Sequence, residues 1–202
     1  MTRRVRTIAT IALLLCATAC SSAPKWRSVD LQRDFVPFAF GGDGAIRALP
    51  QELVLEPGAP LTGGTFVTKL PDGDYELSFS AARLSGLDFF CGMTFPTKRG
   101  SLTLVLGGWA GAVCGLSSLD GLDASANATR TLRSFPSGRD VAVRIEVRGE
   151  RVRVAIDGAD FLDCDLAGKS VDVRQELEPL KPFGFCCYLT TARVSELRWR
   201  PL

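Results

Sequence analysis

The 202-residue chain predicts an all-β fold, a two-sheet antiparallel β-sandwich, on three observations. Apolar residues recur at every second position from about Glu52 onward, turn-forming residues separate these runs, and no stretch sustains a helical period. The first run sets Tyr75, Leu77, Phe79 and Ala81 against Glu76, Ser78 and Ser80, so the apolar set occupies one face of a strand. Leu87, Phe89, Cys91, Met93 and Phe95 form a second run, and Leu102, Leu104 and Leu106 a third. Val141, Val143, Ile145 and Val147 alternate with Asp140, Arg144, Glu146 and Arg148 in a fourth. Gly149-Glu150 closes a hairpin between "VAVRIEVR" and "RVRVAI", and Asp157-Gly158 and Pro71-Asp72-Gly73 are equally strong turns. Val171 to Leu180 supports one short helical turn at most, because Pro179 and Pro182 limit it.

The N-terminus addresses the chain. Arg3, Arg4 and Arg6 precede an apolar run from Ile8 to Leu15, too short for the roughly 20 residues of a membrane span. Ala17-Thr18-Ala19-Cys20 then resembles a bacterial lipoprotein box, which implies acylation of Cys20; cleavage of a plain signal peptide near Ala19 or Ala23 is the alternative. The expected organisation is a signal peptide over 1–19, a lipidated tether over 20–30 and the sandwich over 31–202. The expected location is the bacterial cell envelope, with the Cys20 lipid in a membrane and the domain facing the periplasm or cell surface. Removal of 1–19 takes the formal charge from +2 to −1, which leaves no electrostatic footprint for nucleic acid.

Absence of histidine excludes much chemistry. No Ser-His-Asp or Cys-His relay and no HExxH zinc site is possible. Beyond Cys20 the chain carries Cys91, Cys114, Cys164, Cys186 and Cys187, without metal-ligand spacing. Two readings stand for them, buried small apolar residues or a Cys91–Cys114 bridge. Cys186 and Cys187 point to opposite faces if they lie in a strand.

The segment "LGGWAGAVCGLSSLDG", Leu106 to Gly121, is neither a serine elbow nor a phosphate loop. Its glycines at 107, 108, 111 and 115 let two strands and Trp109 fit around a groove, with Ser118 to Gly121 as the exit turn. Sugar recognition requires an aromatic face and planar polar groups for hydroxyls. Trp109 meets the first requirement; Asp88, Asn127, Arg174 and Glu176 are candidates for the second. Carboxylate catalysis would draw on Asp88, Asp120, Asp123, Glu176 and Glu178, two of which must converge. Turn formation is the alternative for Asp120 and Asp123, an outward strand position for Asp88, a core position for Trp109 and loop chemistry for Asn127. No cofactor is required; calcium would suit Asp120, Asp123 and loop carbonyls.

The order of "YELSFSAARL", "RVRVAIDGADFLDCDL" and "GFCCYLTTARVSELRWRPL" resembles concanavalin A-like lectin/glucanase jelly rolls over roughly Val29 to Leu202. In these, a late hairpin carries an "xVxxDG" turn and the last strand returns beside the N-terminal one. "LDFFCGMTFP", "LTLVLGGWAGAVCGLSSLDGLDASAN" and "VDVRQELEPLKPFGF" further resemble a group of exported bacterial proteins distantly related to the 3-keto-disaccharide hydrolase domain. The "NSG" and "DGxxLxxW" motifs of that domain do not occur here. The Cys20 box and this resemblance together lead to the expectation of an exported lipoprotein whose lectin-like sandwich binds carbohydrate or another extracellular ligand without catalysis. A carboxylate-dependent glycoside-cleaving enzyme is the first alternative, and a structural or protein-interaction module the second.

Overall fold

The computed structural model describes residues 24–202. The signal peptide and the acylated Cys20 expected from the sequence lie outside the described residues. Among the described residues, no helix is long and apolar enough to cross a membrane.

The chain enters through β1 (Arg27–Ser28) and a helical turn α1 (Leu31–Asp34), followed by β2 (Phe35–Phe38), β3 (Ile46–Leu49), β4 (Glu52–Leu55) and β5 (Leu61–Phe66). The long β6 (Tyr75–Gly86) leads to β7 (Cys91–Thr97), β8 (Gly100–Gly107), β9 (Val113–Ser117) and β10 (Thr131–Leu132). Then come β11 (Val141–Arg148), β12 (Arg151–Ile156), β13 (Ala159–Asp165), β14 (Gly184–Tyr188) and β15 (Thr190–Pro201). They form two antiparallel sheets. One runs β13-β12-β11-β6-β15-β4-β3, with β1 also on β15; the other runs β10-β9-β8-β7-β14-β5-β2.

Alternation decides which side chains meet between the sheets. Tyr75, Leu77 and Phe79 of β6 and Val143 and Ile145 of β11 face Met93 and Phe95 of β7 and Leu102 and Leu104 of β8 in one buried cluster. Fully burying each such side chain contributes roughly 1.5–3 kcal/mol. The Gly149-Glu150 and Asp157-Gly158 hairpins form as the sequence predicts, with Arg148 opposite Arg151 and Ile156 opposite Ala159.

Three local expectations change. Residues 26–30 belong to the domain rather than to a tether: Arg27 and Ser28 pair with Trp199 and Arg198 of β15. The guanidiniums of Arg198 and Arg200 lie 5.0 and 4.6 Å from the Trp26 ring centroid, and Val29 is fully buried. Cation–π stacking and ladder bonds hold this segment down. Second, the run of Leu87 to Phe95 enters its strand only at Cys91. Gly86 takes φ +90° and turns the chain out, which leaves Leu87 78% exposed. Third, Cys91 and Cys114 cannot bond. Cys91 faces Leu106, and the neighbouring pair Val105–Gly115 sets Cys114 on the far side of Leu106. Two strand spacings, about 9.5 Å, exceed the roughly 7 Å limit for a disulfide. All five cysteines among the described residues are free and buried, and Cys187 faces the core while Cys186 faces the opposite side.

The outer faces of the two sheets differ in character. On the first, Asp163, Arg153, Glu146, Glu76 and Arg200 stand in register across five strands. They neutralise one another, with Arg200 at 2.6 Å and Arg144 at 2.8 Å from Glu76 and Arg153 at 3.2 Å from Glu146. The outer face of the second sheet instead carries a separate apolar cluster of Leu61, Val173, Leu177, Leu180 and Cys186 under the 170–181 segment. That segment contains one 3₁₀ turn, Gln175–Leu180, in accordance with the limits set by its prolines. The candidate site opens there.

Candidate functional site

A row of small residues crosses the outer face of the second sheet. Gly63 of β5 faces Cys186 of β14, Cys186 faces Gly92 of β7, Gly92 faces Val105 of β8, and Val105 faces Gly115 of β9. A Cβ on Gly92 would lie 2.7 Å from Cys186 Sγ and 3.0 Å from the Phe89 ring, so only glycine lets both settle on this floor. Above it lies a cleft of about 190 Å3. Val105, Leu61 and Leu177 give it an apolar base, Phe89 and Tyr188 add aromatic surface, and Trp109, Asp88, Arg174 and Glu176 complete the lining. The Phe89 and Tyr188 ring centroids are 5.6 Å apart, and Tyr188 N–H donates to Phe89 O.

Trp109 reaches this cleft on an unusual turn. It takes φ +49° and Ala110 φ +62°, with Gly107 at +73° and Gly111 at +100° on either side. A left-handed conformation costs a side-chain-bearing residue roughly 1–2 kcal/mol. The turn is held from both directions. From outside, Asp88 accepts the Ala110 N–H on Oδ2 at 3.2 Å and the Phe89 N–H on Oδ1 at 2.8 Å. From inside, the buried Arg83 donates from Nη2 to Gly107 O at 3.1 Å and Gly111 O at 3.3 Å, and from Nη1 to Phe135 O at 3.4 Å. A Cβ on Gly107 would lie 2.3 Å from Arg83 Nη2. Position 107 therefore requires glycine on two counts, its positive φ and the approach of the guanidinium. Arg83 stacks over Phe90 and makes no ion pair among the described residues. Burial lowers its pKa from the ordinary arginine value, and the nearby Asp88 charge opposes that shift.

Arg174 and Glu176 come from the opposite segment. Arg174 donates from Nε to Glu176 Oε1 at 2.5 Å and from Nη1 to Asp123 Oδ2 at 3.1 Å, tying the 3₁₀ turn to the 118–127 loop. With Asp88 added, the polar lining holds two carboxylates and one guanidinium. This balance does not draw anions; it offers acceptors to hydroxyl donors and one planar cation to their oxygens.

Four of the five expected ligand residues, Asp88, Trp109, Arg174 and Glu176, thus line one cleft. Asn127 does not. It is only 9% exposed, and its Nδ2 donates to the carbonyls of Leu116, Leu122 and Asp123. Its Oδ1 accepts from Thr129 N and Oγ1. The amide is consumed in shaping the loop. Asp120 and Asp123 are likewise engaged, Asp120 with Ser170 N and Asp123 with Ser125 and Arg174. Among the described residues, no group of three or more metal-capable side chains converges. Glu178 pairs with Lys181 and is not part of the cleft lining.

Sequence reasoning missed Arg83, Phe89 as a lining residue, Tyr188, Leu61 and Leu177. For Arg83 the signal was present, because extending the Tyr75-to-Ala81 alternation by one step puts it on the core face. The others depend on long-range pairing and leave no local trace.

No protein-family model matches the chain, and no curated protein matches it. Solved structures do resemble it. A carbohydrate-binding module, CBM66, from Bacillus subtilis superposes with a TM-score of 0.50 at 10% identity, over 87% of this chain and 94% of that one. A Crh5 transglycosylase gives 0.57 at 10% identity, over 89% and 84%. A proposed glycosyl hydrolase from Parabacteroides distasonis gives 0.53 at 10% identity, over 88% and 100%. The chain has the concanavalin A-like jelly-roll fold.

Proposed function

We propose that this protein is a non-catalytic glycan-binding module of the bacterial cell envelope, anchored through a lipid on Cys20. One observation carries the reading. Trp109, 39% exposed, is held out on a left-handed turn beside Asp88, Arg174 and Glu176 in a cleft over a floor of small residues. A purely structural scaffold has no need of an indole kept uncovered at that conformational cost. The cleft is smaller than the roughly 300–1,000 Å3 typical of pockets for drug-sized ligands. It suits a single sugar ring, stacked on the indole, with its hydroxyls donating to Asp88 and Glu176 and accepting from Arg174. Jelly-roll neighbours named for carbohydrate binding and glycoside chemistry support the same ligand class. Trp109→Ala is expected to abolish retention on a glycan array while leaving the melting temperature unchanged. Retention equal to that of the unaltered protein overturns the assignment.

A second reading is glycoside cleavage, favoured by Asp88 and Glu176 sharing one cleft. Their present engagements weigh against it: both Asp88 oxygens accept backbone N–H groups, and Glu176 is bound to Arg174. Release of sugar from a bound glycan, lost in both Asp88→Asn and Glu176→Gln, would establish catalysis. For the anchor, Cys20→Ser is expected to move the protein from the membrane to the soluble fraction; continued membrane fractionation overturns it.

A further inference from the structure

Beside the cleft, three neighbouring loops each hold a large apolar side chain out in solvent. Leu87 is 78% exposed, Leu189 50% and Trp109 39%. Each belongs to the cleft by position. Leu87 precedes the lining residue Asp88, Leu189 follows the lining residue Tyr188, and Trp109 lines the cleft itself. The loops are in contact: a Cβ on Gly111 would lie 3.1 Å from Leu87 O, and one on Gly86 would lie 2.6 Å from Leu189 O. Leu189 also sits at φ +47°, a conformation that disfavours a leucine and that glycine or asparagine would adopt more easily. Half of the residue stays in solvent all the same. Isolated exposed leucines need no explanation, but exposed apolar side chains on three touching loops beside one cleft mark a contact surface.

We propose that Leu87, Trp109 and Leu189 receive an apolar group carried on the sugar that the cleft holds, an alkyl or aryl aglycone. The proposal rests on the glycan reading above. The cleft admits about one ring, so a group attached to that ring extends past the cleft lining, and on the Asp88 and Tyr188 side it crosses this edge. A polar continuation of the glycan would meet the hydrocarbon of Leu87 and Leu189, which offers it no hydrogen-bonding group. An apolar aglycone would cover them and recover the cost of their exposure. Trp109 then serves both parts of the ligand, its face the ring and its edge the aglycone.

The test uses the full-length chain with Cys20→Ser, so that no protein-borne lipid competes for the edge. Methyl, phenyl and octyl glycosides of glucose, galactose, mannose and N-acetylglucosamine are titrated below micelle-forming concentrations, and leucine methyl signals are followed by NMR. Octyl and phenyl glycosides of at least one sugar are expected to bind about tenfold or more tighter than the methyl glycoside, with shifts at Leu87 and Leu189. In the Leu87→Ser, Leu189→Asn double variant that gain is expected to vanish, while methyl glycoside binding stays unchanged and the melting temperature does not fall, since asparagine accepts the positive φ at position 189 more easily than leucine. Equal affinity across the three aglycones, or unshifted Leu87 and Leu189 methyls with every glycoside, overturns the proposal and leaves the glycan reading intact wherever methyl glycosides still bind. A gain that 1-octanol reproduces and Asp88→Asn does not reduce retains the apolar edge and overturns the glycan reading instead. Cosedimentation with phosphatidylcholine vesicles free of glycolipid, lost in the double variant, assigns the edge to a lipid surface and overturns the proposal.

Discussion

At the scale of single residues, the Trp109 turn is governed by two positions that never touch the cleft. Gly107→Ala forces a Cβ into the space of Arg83 Nη2 at a positive φ. The expected loss is about 1–3 kcal/mol in chemical denaturation, a range set by left-handed strain and local overpacking. Arg83→Met keeps the bulk of the side chain but removes the donors to three carbonyls. Unsatisfied buried acceptors cost about 1–3 kcal/mol each, so this variant is expected to be less stable than the unaltered protein. Amide exchange at Ala110 and Ala112 should rise more than in the core strands; uniform change across the domain would mean that Arg83 serves general packing instead. Asn127 provides the contrast. Asn127→Ala removes an amide whose Nδ2 shares its two protons among three carbonyls and whose Oδ1 accepts from Thr129 N and Oγ1, and should cost about 2 kcal/mol or more. Glycan retention by the folded fraction is expected to survive, which separates a loop-shaping amide from a ligand-reading one.

At the scale of elements, the strands were the most legible part of the chain. Alternation placed Tyr75 to Ala81 and Val141 to Val147 on the core face because an antiparallel sheet with one solvated side imposes that period directly. It misplaced Leu87 and Phe89, since the same period continues through a residue pair that Gly86 has already turned away. The cleft was partly legible. Trp109, Asp88, Arg174 and Glu176 stand out as residue types, yet their convergence depends on β7, β8 and the 3₁₀ turn being brought together across 90 residues of chain, which no local pattern encodes. Asn127 was the reverse case, a polar residue whose type suits a ligand and whose location demands a loop. The cysteines follow the strands that carry them. Burial pushes Cys187 up to about 12 and raises Cys91 and Cys186 strongly as well, so none supplies a thiolate at neutral pH. The folded domain is expected to leave all five described thiols unreactive toward a disulfide reagent at pH 8 and to release them on unfolding. Its melting temperature should not respond to dithiothreitol; a drop of several degrees would reveal a bridge.

At the scale of the whole molecule, the lack of histidine fixes the pH response. Histidine is the residue whose ordinary value lies between about pH 5.5 and 8, and burial pushes the described thiols upward from theirs. Carboxylates govern the acid side. Arg33 holds the Asp34 carboxyl below its ordinary value, and Lys181 does the same for Asp172. Such groups contribute their full stabilisation above the unfolded value of about 3.9 and lose it as the pH falls through the lowered folded values. Unfolding free energy should therefore be flat from about pH 5.5 to 8 and decline below about pH 4, which a denaturation series across pH will check. The same whole-molecule view fixes a direction. β15 begins at Thr190, beside the cleft, and ends near Trp199, where Arg27 pairs with it. Nine strand residues separate these points, about 30 Å at 3.3 Å per residue. The described chain therefore runs toward its N-terminus about 30 Å along β15 from the edge of the cleft. Under the proposed anchoring of Cys20 in a bilayer, that length of strand would lie between the membrane and the edge of the cleft, and the domain itself would act as a spacer that lifts the cleft away from the lipids in which it is rooted.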